Sequence, residues 1–384
     1  MYKIYYLALL VGVILVTMSC TQNEGRSNAQ YPLMQNKYYL KQDSLIVFPL
    51  DTNTIYGSNC LQIINIDQSP QLAYLNEESN SIYLYEISTK KLVKILEFDR
   101  EGPNSIVALQ GFYYHPPDSL FLFNEYSVYL SDTLGRIKAK YNLAKGNGKG
   151  EQLLHPLVAS TVNQVAIIGD TLYLSGMPER DFFTPEFYDG SQVVICLNLQ
   201  TANYGYKLGY PEIYKNNIWG NNLAYFYNCF NSRNNIFVYS FPLDPNLLAT
   251  NCLGKITNHF AGSNYLGEVA PAKKGLNARE RQMYYLAQPS YFAIYYDPYR
   301  NFYYRIAHQP LSDEEILSNK RVKRCSIIIL DGNLNWVGET VLPDGQYTET
   351  MVFSTPSGFF IGYYDRENEN NLSFRKFSLQ KYEN

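Results

Sequence analysis

The stretch RCSIIILDGNLNWVGETVL, residues 324–342, reads as two strands and the turn between them. Ile327 to Leu330 form an apolar, mostly β-branched run, which suits a pleated backbone. Asp331-Gly332 supplies hairpin turn chemistry, and the chain from Trp336 to Leu342 runs back. YSVYLSDTLGRIKAKYNL, residues 126–143, repeats the plan, with Asp132 ahead of a turn ending at Gly135.

Working outward, an earlier strand pair precedes each hairpin, and the same texture recurs along the chain. SIYLYEI, SLFLFNE, TLYLSG, NIFVYSF, NFYYRIA and GFFIGYY follow turn signals at Asn80-Ser81, Asp118-Ser119, Gly169-Asp170, Asn234-Asn235, Arg300-Asn301 and Ser357-Gly358. Another strand candidate precedes most of them, as in QLAYLN, GFYYHP, QVAIIG, LAYFYN, YFAIYYD and MVFSTP. Six units at intervals of roughly 40 to 65 residues are the signature of an all-β, six-bladed β-propeller, with four strands to a blade. Seven blades is the alternative, because 145–165 and 263–290 carry no clear strand assignment. The last unit has only three strands, MVFSTP, GFFIGYY and LSFRKFSL. SLIVFPL, residues 44–50, belongs to no unit and is expected to close that blade as its outer strand.

The start of the chain has a different character. Lys3 is followed by an apolar run from Ile4 to Val16, a secretory-signal pattern too short for a comfortable bilayer span. Val16-Thr17-Met18-Ser19 leads into Cys20, which resembles the lipobox of bacterial lipoproteins. That resemblance implies a signal peptide over 1–19, acylation of Cys20 including palmitate, and a membrane held through the lipid anchor. Residues 20–36 are polar and read as a flexible tether, leaving 37–384 as a single propeller domain. Thr21, rather than Asp, favours the outer membrane, on either its periplasmic or its cell-surface face.

Composition narrows the classes further. The full chain carries a formal charge of -3, and loss of Lys3 with the signal makes it -4. No basic run offers a nucleic-acid footprint. Cys60, Cys196, Cys229, Cys252 and Cys325 are widely spaced and form no CxxC pair, so no zinc or redox motif is present. Cys196 and Cys325 lie in apolar strand patterns and read as buried thiols, and a Cys229–Cys252 disulfide is open to an exported chain. His115, His155, His259 and His308 sit in different units without HExxH spacing. No metal and no cofactor is expected.

EFDREGPNSIVALQGFYY, residues 97–114, together with the lipobox and the chain length, resembles the six-bladed propeller lipoproteins of gut Bacteroidota, most of all domain-of-unknown-function family 4221. The resemblance implies fold and location and brings no established activity.

Candidate ligand-binding residues come from two segments. In FDREGPNS, Gly102-Pro103 makes a turn that leaves Arg100, Glu101 and Asn104 free to project at the channel mouth. NARERQMYYLAQ, residues 277–288, is helix-compatible and brings Arg279, Arg281, Tyr284 and Tyr285 together, a set suited to an anionic or sugar ligand. LSDEEILSN, residues 311–319, has the Ser312/Glu315 capping box of a short structural helix. The reading is a binding propeller for a glycan or peptide ligand or an envelope protein partner. A hydrolase or lyase acting on glycans or peptides at the mouth is one alternative, and a scaffold in an envelope complex is another.

Overall fold

The computed structural model describes residues 34–383, apart from 52–53, 55, 67–68, 103, 145–155, 253, 344–346 and 366–369. Cys20, the signal segment and most of the tether lie outside the described residues.

Six antiparallel sheets form a ring, a six-bladed β-propeller. From the axis outward, blade 1 uses Leu61–Ile66, Ser69–Asn76, Ser81–Glu86 and Leu92–Glu97. Blade 2 uses Gly111–His115, Ser119–Phe123, Ser127–Asp132 and Ile137–Asn142. Blade 3 has an inner strand in two pieces, Leu157–Val158 and Ala166–Ile168, followed by Thr171–Gly176, Gln192–Asn198 and Tyr204–Gly209. Blade 4 uses Tyr227–Asn231, Ile236–Ser240, Asn246–Thr250 and Ile256–Phe260. Blade 5 uses Ser290–Asp297, Phe302–His308, Cys325–Asp331 and Trp336–Val341. Blade 6 takes Tyr347–Thr355, Gly358–Tyr363 and Asn371–Lys381, and Tyr38–Pro49 closes it from outside. Three helices punctuate the ring: α1 (Glu186–Gly190), α2 (Ala278–Ala287) and α3 (Asp313–Leu317). Asn277/Glu280 and Ser312/Glu315 cap the last two reciprocally.

The ring explains why the strands read as continuous apolar runs. Each blade has a neighbour on both faces, so successive side chains feed two different cores. Ile327 and Ile329 enter the core shared with blade 6, while Ile328 and Leu330 enter the one shared with blade 4. Leu120 and Leu122 face blade 1, whereas Phe121 and Phe123 face blade 3. Phe48, Phe360 and Phe374 of blade 6 pack on Tyr74 and Tyr85 of blade 1, which closes the circle.

The closing strand pairs antiparallel with the C-terminal strand, from Tyr38 opposite Lys381 to Pro49 opposite Asn371. It begins earlier than residue 44 and shifts register between Gln42 and Leu45. Packing on blade 5 accounts for the extra length: Leu40 joins the core between blades 5 and 6, and Lys37 N–H donates to the Val337 carbonyl at 2.8 Å. The approach demands glycine at 338, where a Cβ would lie 2.1 Å from the Tyr38 oxygen.

No seventh sheet exists among the described residues. Leu157–Val158 belongs to blade 3, 159–165 form a turn between the two pieces of its inner strand, and 263–289 form the crossover that carries α2. The Cys229–Cys252 disulfide is not formed, and both thiols are free. They point to opposite faces of blade 4, Cys229 into the core with blade 5 and Cys252 into the core with blade 3.

One buried cation locks blades 4 and 5 together. Arg305 has no exposed surface and stacks 3.8 Å from the Tyr291 ring centre. Its five donors go to Ser240 Oγ and the carbonyls of Pro245, Ala261, Phe241 and Asp244.

Candidate functional site

In a four-stranded antiparallel blade, successive turns alternate between the two ends. The turn between second and third strands and the crossover to the next blade therefore share one face. This loop face carries the 98–110 crossover, α1, α2 and α3.

All the ligand-binding candidates fall on it, but in two separate places. Arg100 lies in the crossover from blade 1 to blade 2, and α2 lies in the crossover from blade 4 to blade 5, on the opposite side of the ring. Arg100 donates to the carbonyls of Val107, Glu77 and Glu78 at 2.9, 3.0 and 3.0 Å, so it ties its crossover to the adjacent turn. Glu101 and Asn104 are exposed. Arg281 donates to the Leu276 carbonyl at 2.8 Å and stacks 3.7 Å over Phe183 of blade 3. Tyr284 donates its hydroxyl to the Ala270 carbonyl at 2.8 Å. Arg279 lines a groove of about 820 Å³ between α2 and α3, together with Lys273, Met283 and Leu317.

The centre of the loop face is built by a break in blade 3. Between the two pieces of its inner strand, residues 159–165 leave the sheet and turn across the axis. Thr161 N–H donates to the Asn59 carbonyl at 2.9 Å, and Leu61 N–H donates to Thr161 Oγ at 2.8 Å, both in or beside blade 1. On the other side, Asn228 N–H donates to the Val162 carbonyl at 2.9 Å, and Asn163 Nδ2 donates to the Phe226 carbonyl at 3.1 Å. Blades 1 and 4 are opposite in a six-membered ring, so a turn bonded to both lies on the axis. Gly111 makes room for it, since a Cβ there would sit 2.1 Å from the Ala159 oxygen. The turn floors the channel mouth.

Beside this floor, the inner strands of blades 5 and 6 both bulge near their starts, between Tyr291 and Ile294 and between Thr348 and Val352. Bulges re-aim side chains. Glu349, in the second bulge, pairs with His308 Nε2 at 2.7 Å and accepts a hydrogen bond from the Cys325 thiol. Phe292, in the first, stacks on His308 at 5.2 Å and meets Tyr227 at 4.4 Å between ring centres. Tyr295 donates its hydroxyl to the Glu349 carbonyl. Lys323 completes the group: its ammonium donates to the Gln288 carbonyl at 2.8 Å and sits 3.8 Å over the Tyr285 ring.

Burial pulls the Lys323 amine down to about 7, with the Glu349 carboxylate opposing that shift. Burial also pushes the Glu349 carboxyl up, but His308, Cys325 and Lys323 outweigh it and hold it below its ordinary value. Burial raises the Cys325 thiol far above its ordinary value, which makes it a donor rather than a nucleophile. The site thus offers an amine poised near neutrality, a carboxylate–imidazole pair and aromatic walls. Among the described residues no grouping of His, Cys, Asp and Glu is fit to hold a metal.

The model of a family described as Domain of unknown function (DUF4221) matches residues 37–341. The chain belongs to the DUF4221 family. A DUF4221 crystal structure from Bacteroides vulgatus is 24% identical to it, covers 91% of this chain and 100% of its own, and has a TM-score of 0.79. A Bacteroides fragilis protein whose name describes it as exported is 13% identical, covers 94% of this chain and 98% of its own, and has a TM-score of 0.55. Both likenesses concern the fold. No curated protein matches the chain.

Within this DUF4221 propeller, sequence reasoning passed over Lys323 and Glu349, grouped Tyr285 with Arg279, Arg281 and Tyr284 on the helix, and treated His308 only as one of four scattered histidines. Lys323 stands in KRVKRC and resembles a solvated basic run. The one local signal is its position two residues ahead of a strand buried from Cys325 to Leu330.

Proposed function

We propose that this DUF4221 chain is a lipid-anchored envelope protein whose floored channel mouth binds a glycan. The observation that carries the reading is the cluster of Lys323, Glu349 and His308 beside Tyr285, Phe292 and Tyr227. Half-buried ionisable groups cost free energy, and their convergence beside aromatic side chains on the loop face supports a ligand role over a packing role. Aromatic faces suit the C–H surface of a sugar, and a carboxylate and an amine suit its hydroxyls. Anchoring rests on the lipobox at Cys20, and Thr21 supports the outer membrane. The binding test is an array of glycans and peptides probed with the purified protein, alongside Glu349→Gln and Tyr285→Ala. Glycan binding lost or weakened about tenfold or more in both variants supports the reading, at about 1.4 kcal/mol per tenfold. Unchanged binding in both moves the site elsewhere.

A further inference from the structure

The face opposite the loops carries a second concave site, away from the mouth. In each blade the turns between the first and second strands and between the third and fourth lie on this face. Three of them meet where blades 4 and 5 adjoin: 232–235 and 251–255 from blade 4, and 331–335 from blade 5. They border a cavity of about 290 Å³. Ile236 and Leu334 give it an apolar wall, and Asn234, Asn333, Lys255 and His259 give it a polar one. Thr257 and His259 stand opposite Ala249 and Leu247, whose side chains enter the core with blade 5, so both face blade 5 as well. Thr257 Oγ1 lies 2.9 Å from His259 Nε2, which fixes the imidazole ring.

The charge of this cavity has one sign. Among the described residues no aspartate or glutamate lines it, in a chain of formal charge -3. Asp331, in the bordering turn, accepts from the N–H groups of Asn333 and Asn335 and from Asn335 Nδ2, so it is committed to its own turn. Lys255 is exposed, and among the described residues neither its ammonium nor the side-chain amides of Asn234 and Asn333 have a bonded partner. We infer that the cavity binds a sugar acid, a carboxylate carried on a hydroxylated ring. A lysine ammonium only donates and matches the carboxylate, whereas an asparagine amide both donates and accepts, as a hydroxyl does. Sulfate, which only accepts, would leave the amide oxygens unmatched. Ile236 and Leu334 offer the surface on which the C–H groups of the ring rest, and a volume at the lower end of ligand pockets suits one ring.

This site goes beyond the mouth and uses none of its residues, so its test is independent. Methyl glucuronide and methyl glucoside share the ring and differ in the carboxylate, and both are titrated calorimetrically into the full-length protein. The glucuronide is expected to bind at least about tenfold more tightly, the scale of a charge-assisted hydrogen bond. Lys255→Gln, a change at an exposed side chain, should abolish that preference while the circular dichroism spectrum persists. Asn333→Ala should weaken both ligands several-fold, and Glu349→Gln should alter neither. No detectable binding of the glucuronide, no preference for it over the glucoside, or a preference that survives Lys255→Gln overturns the inference. Sulfate bound as tightly as the glucuronide overturns it too, since the ring would then contribute nothing. A preference lost in Glu349→Gln and kept in Lys255→Gln places the sugar acid in the mouth, so this inference falls and the glycan reading stands. A Lys255-dependent preference beside a mouth that binds no glycan keeps this site and removes that reading.

Discussion

Arg305, fully buried in blade 5, and Lys323, half-buried at its edge, are both basic groups taken from water, and their surroundings give them opposite consequences. Arg305 has an acceptor for every N–H, and burial lowers it to about 10 with Tyr291, Asp244 and Tyr214 opposing that shift, so it stays charged. Removing it takes a charged donor from four carbonyls and a hydroxyl in a dry junction, where the Pro245 and Phe241 carbonyls keep a backbone donor and Ser240 still donates to the Phe292 carbonyl. Arg305→Met is expected to cost about 3–5 kcal/mol, the scale of breaking a buried charged network, read as a fall in the denaturant midpoint. Lys323 lacks such a set. Its folded value near 7 lies below its unfolded value, so between about pH 7 and 10 the unfolded chain binds the extra proton. Stability from this group should therefore fall as pH drops through that window. Lys323→Met is expected to stabilise the protein by about 1–3 kcal/mol at pH 7 and to leave it nearly unchanged at pH 10, measured by urea unfolding at both values. An equal effect at both pH values would mean that the amine is solvated.

At the scale of elements, the closing strand and the axial turn both join parts of the chain that are far apart in sequence. Tyr38–Pro49 pairs along most of the length of Asn371–Lys381. Truncation through residue 33, which keeps Met34 and its two hydrogen bonds with Asn264, should leave the melting temperature unchanged. Truncation through residue 51 should expose the last strand as an edge and cause aggregation or a lower melting temperature. Equal behaviour of both forms would make the pairing dispensable. The axial turn is constrained differently, through backbone proximity at Gly111. Gly111→Ala would drive a methyl group into the Ala159 carbonyl, and a cost of about 1–3 kcal/mol is expected from the forced shift. Calorimetry should report that loss, and weaker ligand binding should accompany it if the turn is the floor of the site. The closing strand was legible from 44 to 50 as an apolar run without a unit of its own. The axial turn was not, because ASTVNQ has the polarity of a surface loop while its backbone and side chains are spent on two opposite blades.

For the whole molecule, the anchor proposal predicts that Cys20→Ala moves the protein from the membrane to the soluble fraction and abolishes palmitate labelling. Labelling that persists in that variant would defeat the proposal. No helix among the described residues is long and apolar enough to cross a membrane. The sequence by itself determined the six-unit count, the hairpins at Asp132 and Asp331, helix α2 and the capped helix α3, and the extra strand that closes the ring. Each of these depends on neighbours a few residues apart, on turn chemistry, or on a strand that lacks a partner nearby. Only the tertiary structure decided that Arg100 and α2 lie on opposite sides of the mouth, that the channel is floored, and that Lys323, Tyr285, His308 and Glu349 share a site. A propeller collects the starts of its inner strands around one axis, so residues from separate blades meet there with no sequence spacing to record it. Burial then assigns the chemistry: the same lysine in solvent would be an ordinary cation, and desolvation in this mouth pulls its amine down to about 7.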